Sequence, residues 1–148
     1  MYSQEVMKHF QSQHNIGKIS NPDGLSQVGN PVCGDIMYLY LKVGRNKKGE
    51  EIIKDAKFET LGCVAAISTS SMVIDLAKGK TLKEALKIDE KMLTKSLGGL
   101  PKIKWHCSLL AIEALAESIY DYFLKNKKKI PPLLQKKHDK ISQEKEAK

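Results

Sequence analysis

Of the 25 basic residues in this 148-residue chain, only Arg45 is an arginine. Bidentate reading of phosphates and base edges favours arginine, so a net charge of +8 is weak ground for a nucleic-acid partner. The excess is also local. Residues 125–148 carry nine lysines against Asp139, Glu144 and Glu146, an excess of +6, whereas the first 124 residues carry 16 basic and 14 acidic groups, an excess of +2. A nucleic-acid partner is therefore disfavoured.

Long hydrophobic runs are missing too. The longest, Leu61 to Ile67, has seven residues and includes Gly62, against the roughly 20 that a membrane-spanning helix needs. No membrane is expected as a partner. The polar amino terminus has no apolar stretch ahead of a small-residue cleavage site, so the expected location is cytoplasmic. Cysteine is scarce: Cys33, Cys63 and Cys107 are an odd number, separated by 30 and 44 residues, with no Cys-x-x-Cys pair. That excludes a closed disulfide framework and removes the usual sequence support for zinc ribbons and thioredoxins. Neither a glycine-rich phosphate loop nor a Ser–His–Asp signature is present.

An apolar share of 41% with 28% charged residues excludes wholesale disorder and fits one domain. Val6, His9, Phe10 and Gln13 have helical spacing, so a short, weakly amphipathic helix is expected over residues 3–14. Gly17, Pro22, Gly24, Gly29 and Pro31 punctuate an extended, irregular loop that carries Cys33. Met37, Leu39, Leu41 and Val43 alternate with Tyr38, Tyr40 and Lys42, which predicts a strand over 36–43. Asn46-Lys47-Lys48-Gly49 is a hairpin turn, and the return strand spans 52–60 with Ala56 and Phe58 inward. A third short strand is placed near Leu61–Cys63.

A helix rich in small residues is expected from Val64 to Lys78, closed by Gly79. Thr81-Leu82-Lys83-Glu84 reads as a capping box, and a further short helix over 89–97 is closed by Gly98-Gly99. Leu109, Ile112, Ala116, Ile119 and Phe123, broadened by Leu115 and Tyr122, give a long helix that begins near His106 and covers the sheet. Pro131-Pro132 is read as the end of helical structure. The class is α+β, with a domain over residues 1–124 and a mobile lysine-rich tail over 125–148.

The reactive groups gather at Cys33-Gly34-Asp35, Gly62-Cys63 and His106-Cys107. Cys33 precedes a strand, Cys63 joins strand to helix, and Cys107 lies in the first turn of the long helix. Unpaired N–H groups and the helix dipole favour a thiolate at such a start, and a thiolate is both nucleophile and metal ligand. Three thiols, an imidazole and a carboxylate suit zinc, ferrous iron or an iron–sulfur cluster if the ends converge. Taken singly, each cysteine has a bland reading as packing, Asp35 as a turn residue and His106 as a helix cap. His9, His14 and His138 have no such neighbours in sequence and read as ordinary surface or packing residues, and Trp105 as a packing aromatic.

The stretches NPVCGDIMYLYLKV, IIKDAKFETLGCVAAISTSS, AKGKTLKEAL and LGGLPKIKWHCSLLAIEAL, in this order, resemble the IscU/NifU family of iron–sulfur cluster assembly scaffolds from Tyr2 to Leu124. The resemblance implies a small three-stranded antiparallel sheet covered by helices. It also implies a scaffold and sulfur acceptor, not an enzyme, on which a transient [2Fe–2S] cluster is built from Fe2+ and desulfurase-derived sulfur and passed on. By it, Cys33, Asp35, Cys63, His106 and Cys107 are the cluster and metal ligands, with either Asp35 or His106 as the fourth. Cys107 is the sulfur acceptor, assisted by Lys104, and Tyr2 contributes to scaffold and desulfurase contacts. Implied partners are a cysteine desulfurase, apo iron–sulfur proteins, an Hsp70-type chaperone and an electron donor. Zn2+ is an alternative occupant. Residues 100–104 read Leu-Pro-Lys-Ile-Lys where the family often has Leu-Pro-Pro-Val-Lys, which weakens the chaperone expectation, and Val64 replaces a common glycine. The alternative function is that of the SufU branch, a zinc-dependent sulfurtransferase. The 44-residue interval and His106 speak against it.

Overall fold

The alternation from Met37 to Leu41 buries one face completely: Met37, Leu39 and Leu41 are sealed from solvent while Tyr38 on the other face is exposed. The computed structural model describes residues 2–12, 14–30 and 35–146, and the side chains of 30, 35 and 143–146 lie outside that description. Its elements are α1 (Gln4–Ser12), β1 (Gly24–Asn30), β2 (Asp35–Arg45), β3 (Glu51–Thr60), α2 (Val64–Ala77), α3 (Leu82–Ala85), α4 (Glu90–Ser96), a 3-10 turn (Lys102–Lys104), α5 (Trp105–Lys125) and α6 (Pro132–Glu146).

The strands form one antiparallel sheet in the order β1-β2-β3. At the β2–β3 turn Gly49 takes a φ of +82°, and Asn46 Oδ1 accepts from the amides of Lys48 and Glu50 at 2.9 and 3.0 Å. The register shifts between Lys42 and Val43, so Lys54 is the extra residue of a bulge. Ile53 and Ala56, three apart, consequently share the buried face with Phe58.

The third strand is not where the sequence placed it. Residues 61–63 form no strand, and Leu61 is 86% exposed. The pairing partner of β2 is instead β1, cut from the segment expected to be irregular. Its inward positions are Gly24, Ser26 and Val28, small or polar because α5 crosses them closely. A Cβ on Gly24 would stand 2.2 Å from the Ser118 carbonyl oxygen, and Ser26 Oγ donates to the Ala114 carbonyl at 2.8 Å. The composition that argued against a strand is what lets a helix lie on it.

α2 is buried on nearly every side, between α1, the sheet and α5. Its small residues permit that crowding, and its hydroxyls find carbonyls: Ser68 donates to Val6 at 2.7 Å and Ser70 to Ala66 at 2.6 Å. The capping box at Thr81/Glu84 is formed, and Gly98 and Gly99 end α4 with φ of +73° and +99°. α5 is buried along Leu110, Ala111, Ala114, Leu115, Ser118, Ile119 and Tyr122, a wider stripe than expected because α2, α4 and α6 flank it as well.

The expected stop at Pro131-Pro132 is corrected: Pro132 is the first residue of α6. A proline there loses no helical hydrogen bond, because the first amides of a helix have no intrahelical acceptor. Leu134 and Ile141, two turns apart, bury one face against α5, each worth about 1.5–3 kcal/mol of apolar burial. Between them His138 stacks on Tyr120 with ring centroids 3.7 Å apart and hydrogen-bonds Glu117 at 2.9 Å. Much of the lysine-rich tail is thus a docked helix.

Candidate thiol site

Three chain segments meet at the end of the sheet where β3 stops. Leu61 N donates to the Ile36 carbonyl at 3.2 Å, and Thr60 Oγ1 donates to the same oxygen at 2.7 Å. The start of β2, including the Asp35 backbone paired with Asn30, is thereby held beside the Leu61-Gly62-Cys63 connection. Cys33 falls within 31–34, outside the described residues, as does the Asp35 side chain.

Cys63 is the N-cap of α2, with extended backbone (φ −79°, ψ −178°) and no side-chain capping hydrogen bond. Cys107 occupies the third position of α5. The two Sγ atoms stand 4.0 Å apart, well beyond a disulfide length of about 2 Å. Two thiolates on one tetrahedral ion at about 2.3 Å would be ~3.8 Å apart. The pair can therefore share a single metal with hardly any movement, and both sulfurs sit at the positive end of a helix dipole.

Cys107 is 1% exposed and packs with Ala65 and Ala66, with Tyr2, Cys63 and Leu100 around them. Small α2 residues thus bring α5 close enough for the sulfurs to meet. Solvent reaches the half-buried Cys63, and His106 Nε2 lies 3.5 Å from Cys107 Sγ. Lys104, in the turn before α5, is held above its ordinary pKa, first by the negative charge available at Cys63, against the opposing effect of burial, with Tyr2, Cys107 and a hydrogen bond to Cys63 adding to it. Its ammonium is the cation on hand for a thiolate formed there.

Of the sequence-predicted residues, then, Cys63, Cys107, His106 and Lys104 come together, the Asp35 backbone lies at the same end of the sheet, and Tyr2 packs on the cluster that holds Cys107. Trp105 departs from expectation. It is 50% exposed, with Nε1 donating to the Leu100 carbonyl at 3.0 Å. With Leu61 and Ile103, 86% and 79% exposed, it leaves the segments flanking both thiols unusually apolar at the surface.

The reading of His9 and His14 as residues without ligating company is also corrected. Both ring Nε2 atoms approach Asp75 Oδ2, at 3.8 and 2.8 Å. No spacing rule could have found this group, because Asp75 is 61 residues from His14.

Residues 1–129 match the model of the NifU-like N terminal domain, and the chain belongs to that family. It is 56% identical over 128 residues to the iron–sulfur cluster assembly scaffold protein IscU 1 of Archaeoglobus fulgidus, covering 86% of this chain and 80% of that one. To the iron–sulfur cluster assembly scaffold protein IscU of Aquifex aeolicus it is 40% identical over 124 residues, covering 84% and 77%. Among solved structures, the N-terminal part of a nitrogen-fixing NifU-like protein from Brucella abortus superposes with a TM-score of 0.61 at 18% identity, covering 83% of this chain and 94% of that one, which shows the shared fold. Among the described residues no helix is long and apolar enough to cross a membrane.

Proposed function

We propose that this chain is a scaffold on which a transient [2Fe–2S] cluster is assembled and from which it is handed to apoproteins. The observation that carries the reading is the Cys63–Cys107 pair at 4.0 Å, set at two helix starts beside His106 and Lys104. The names of the IscU relatives from Archaeoglobus and Aquifex support it.

In this reading Cys33, Cys63 and Cys107 supply three ligands, and Asp35 or His106 the fourth. The Cys107 thiolate attacks the outer sulfur of a desulfurase persulfide. A Cys107 S–S bond forms, the desulfurase S–S bond breaks, and the desulfurase cysteine leaves as a thiolate. Two electrons from a ferredoxin-type donor and one proton then cleave the Cys107 persulfide into thiol and hydrosulfide, and ferrous iron held by the neighbouring ligands takes up the sulfide. Lys104 balances the thiolate charge before transfer. A cluster held by one carboxylate or imidazole in place of a fourth thiolate is easier to release than an all-cysteine cluster. The exposed Leu61, Ile103 and Trp105 give a donor or acceptor protein an apolar rim to dock on.

A zinc-dependent sulfur acceptor is the second reading, favoured by the same 4.0 Å sulfur pair with an adjacent imidazole, a ligand set that also fits zinc. One experiment separates them. Reduced, metal-free protein is mixed anaerobically with ferrous iron, cysteine, a reductant and a cysteine desulfurase, and followed by visible absorption and Mössbauer spectra. A [2Fe–2S] signature that leaves this protein as an apo-ferredoxin gains it is the expected result. No cluster, with retained zinc and faster desulfurase turnover, would replace the scaffold by the zinc-dependent acceptor.

A further inference from the structure

We propose that His9, His14 and Asp75 form a second metal site, for a divalent ion of the zinc class, at the junction of α1 and α2. It is separate from the cysteines. Asp75 follows Cys63 by 12 residues along α2, about 18 Å at 1.5 Å per residue.

His9, His14 and Asp75 each offer one donor atom, all within 4.8 Å of one another, and both rings turn Nε2 to Asp75 Oδ2. Ligands at about 2.0–2.1 Å on a tetrahedral zinc lie ~3.3 Å apart. The observed 2.8 Å from His14 and 3.8 Å from His9 to Asp75 Oδ2 bracket that separation, so both imidazoles come within about half an ångström of a ligand's distance from the carboxylate oxygen.

Each donor is aimed by a partner behind it. His9 Nδ1 is 2.9 Å from Ser71 Oγ, His14 Nδ1 is 2.5 Å from Ser12 Oγ, and Asp75 Oδ1 accepts from Asn15 Nδ2 at 2.8 Å. Hydroxyl or amide partners on the far atom of each ligand are how metal sites fix tautomer and orientation. Ser71 Oγ can donate to the His14 carbonyl at 3.4 Å, which leaves it a lone pair for His9 Nδ1–H and turns the His9 Nε2 lone pair toward Asp75.

An ordinary ion pair would need only one imidazole. Here His9, 7% exposed, brings a second ring to the same carboxylate oxygen from beyond hydrogen-bond reach. Burial holds His9 below its ordinary pKa despite Asp75, so it is ready as a neutral ligand.

The backbone is held as well. Asn15, at φ +74°, accepts from Phe58 N of β3, and Gly17 N donates to the Phe58 carbonyl, both at 2.9 Å. Half-exposed His14 and Asp75 leave the outer side open for ion entry and for water to complete the coordination. Such an ion would clasp the amino-terminal helix and its following turn to α2.

The test uses the untagged full chain with Cys33→Ser, Cys63→Ser and Cys107→Ser, so that thiols cannot compete. Zn2+ is titrated against a chromophoric chelator, and the histidine ring nitrogens are followed by NMR. One equivalent should bind, with the Nε2 resonances of His9 and His14 shifting. His14→Arg still offers Asp75 a hydrogen-bonding partner but removes a ligand, and it should weaken binding at least about 10-fold, as should Asp75→Asn. If the thiol-free chain proves misfolded, the cysteine-containing chain serves: whatever its zinc stoichiometry, it should fall by one equivalent in His14→Arg. The proposal is overturned if the folded thiol-free chain takes up no zinc at micromolar concentrations. It is equally overturned if uptake is indifferent to both substitutions while the His9 and His14 nitrogens stay unmoved. A failed cluster assembly experiment would leave this result untouched, since the cysteines take no part in it.

Discussion

Cys63 Sγ and Cys107 Sγ stand 4.0 Å apart, one at the N-cap of α2 and the other in the first turn of α5. The approach depends on Ala65, Ala66 and the buried hydroxyl residues of α2, whose small side chains let the helices close on each other. Only Cys63 of the pair is appreciably open to solvent, so in the proposed function an incoming sulfur would reach Cys107 by way of the space beside Cys63 and Lys104.

Cys107→Ser should therefore abolish sulfur transfer from a cysteine desulfurase while the substituted chain still docks on it. A serine hydroxyl is not ionised at neutral pH and cannot attack a persulfide sulfur usefully. Mass spectrometry of the reaction reads the result. Transferred sulfur found on Cys33 or Cys63 in the wild-type chain would move the acceptor to that residue.

Asp35→Ala should leave assembly intact and slow the release of the cluster to an apo-ferredoxin. Asp35 opens β2 at the end of the sheet where Cys63 lies, and in the proposed function its loss would remove a weaker oxygen donor from the competition for iron. Stopped-flow absorption of the transfer step is the measurement. Release at the wild-type rate would remove Asp35 from the labile position and leave His106 to fill it.

Gly24→Ala should destabilise the fold by about 1–3 kcal/mol, the usual cost of overpacking. The added methyl would stand 2.2 Å from the Ser118 carbonyl oxygen, on backbone that cannot swing aside. Urea unfolding should show a lower midpoint with an unchanged slope. An unchanged midpoint would mean that α5 does not lie on β1 as closely as described.

That glycine also explains what the sequence concealed. β2 was legible because one face is large and apolar at every second position. β1 was not, because its inward residues are Gly24, Ser26 and Val28, chosen by the nearness of α5 and not by pairing. The helix starts at Val64 and Thr81 were legible from local chemistry, and so was the placement of two thiols near helix starts. Their convergence across 44 residues was visible only through the family resemblance, since no local rule spans that distance. The His9–His14–Asp75 group had no signal at all, because the fold alone joins its members. α6 was not legible for a different reason: two prolines mark a helix start as readily as a stop, and Leu134 and Ile141 give only a weak apolar spacing.

Alkaline stability should depend on the contact between Tyr122 and Glu51. The Tyr122 hydroxyl donates to Glu51 Oε2, and Lys128 Nζ holds Oε1 at 3.1 Å. Burial, then the hydrogen bond and charge of Glu51, push the Tyr122 phenol up from 10.0 to about 12. A group whose pKa is raised by folding stabilises the fold in its protonated form. The contribution is thus complete below the unfolded pKa of 10.0 and vanishes as pH rises through about 12. Tyr122→Phe keeps the ring packing and removes the hydroxyl, leaving Glu51 with one donor fewer. At neutral pH it should cost about 1–3 kcal/mol, the range for a hydrogen bond to a charged group and the acceptor left behind. Urea unfolding of both proteins at stepped pH reads the difference, which should hold constant up to about pH 10 and then narrow. A gap that stays open beyond the raised pKa would show that the phenol contributes through shape, not through its proton.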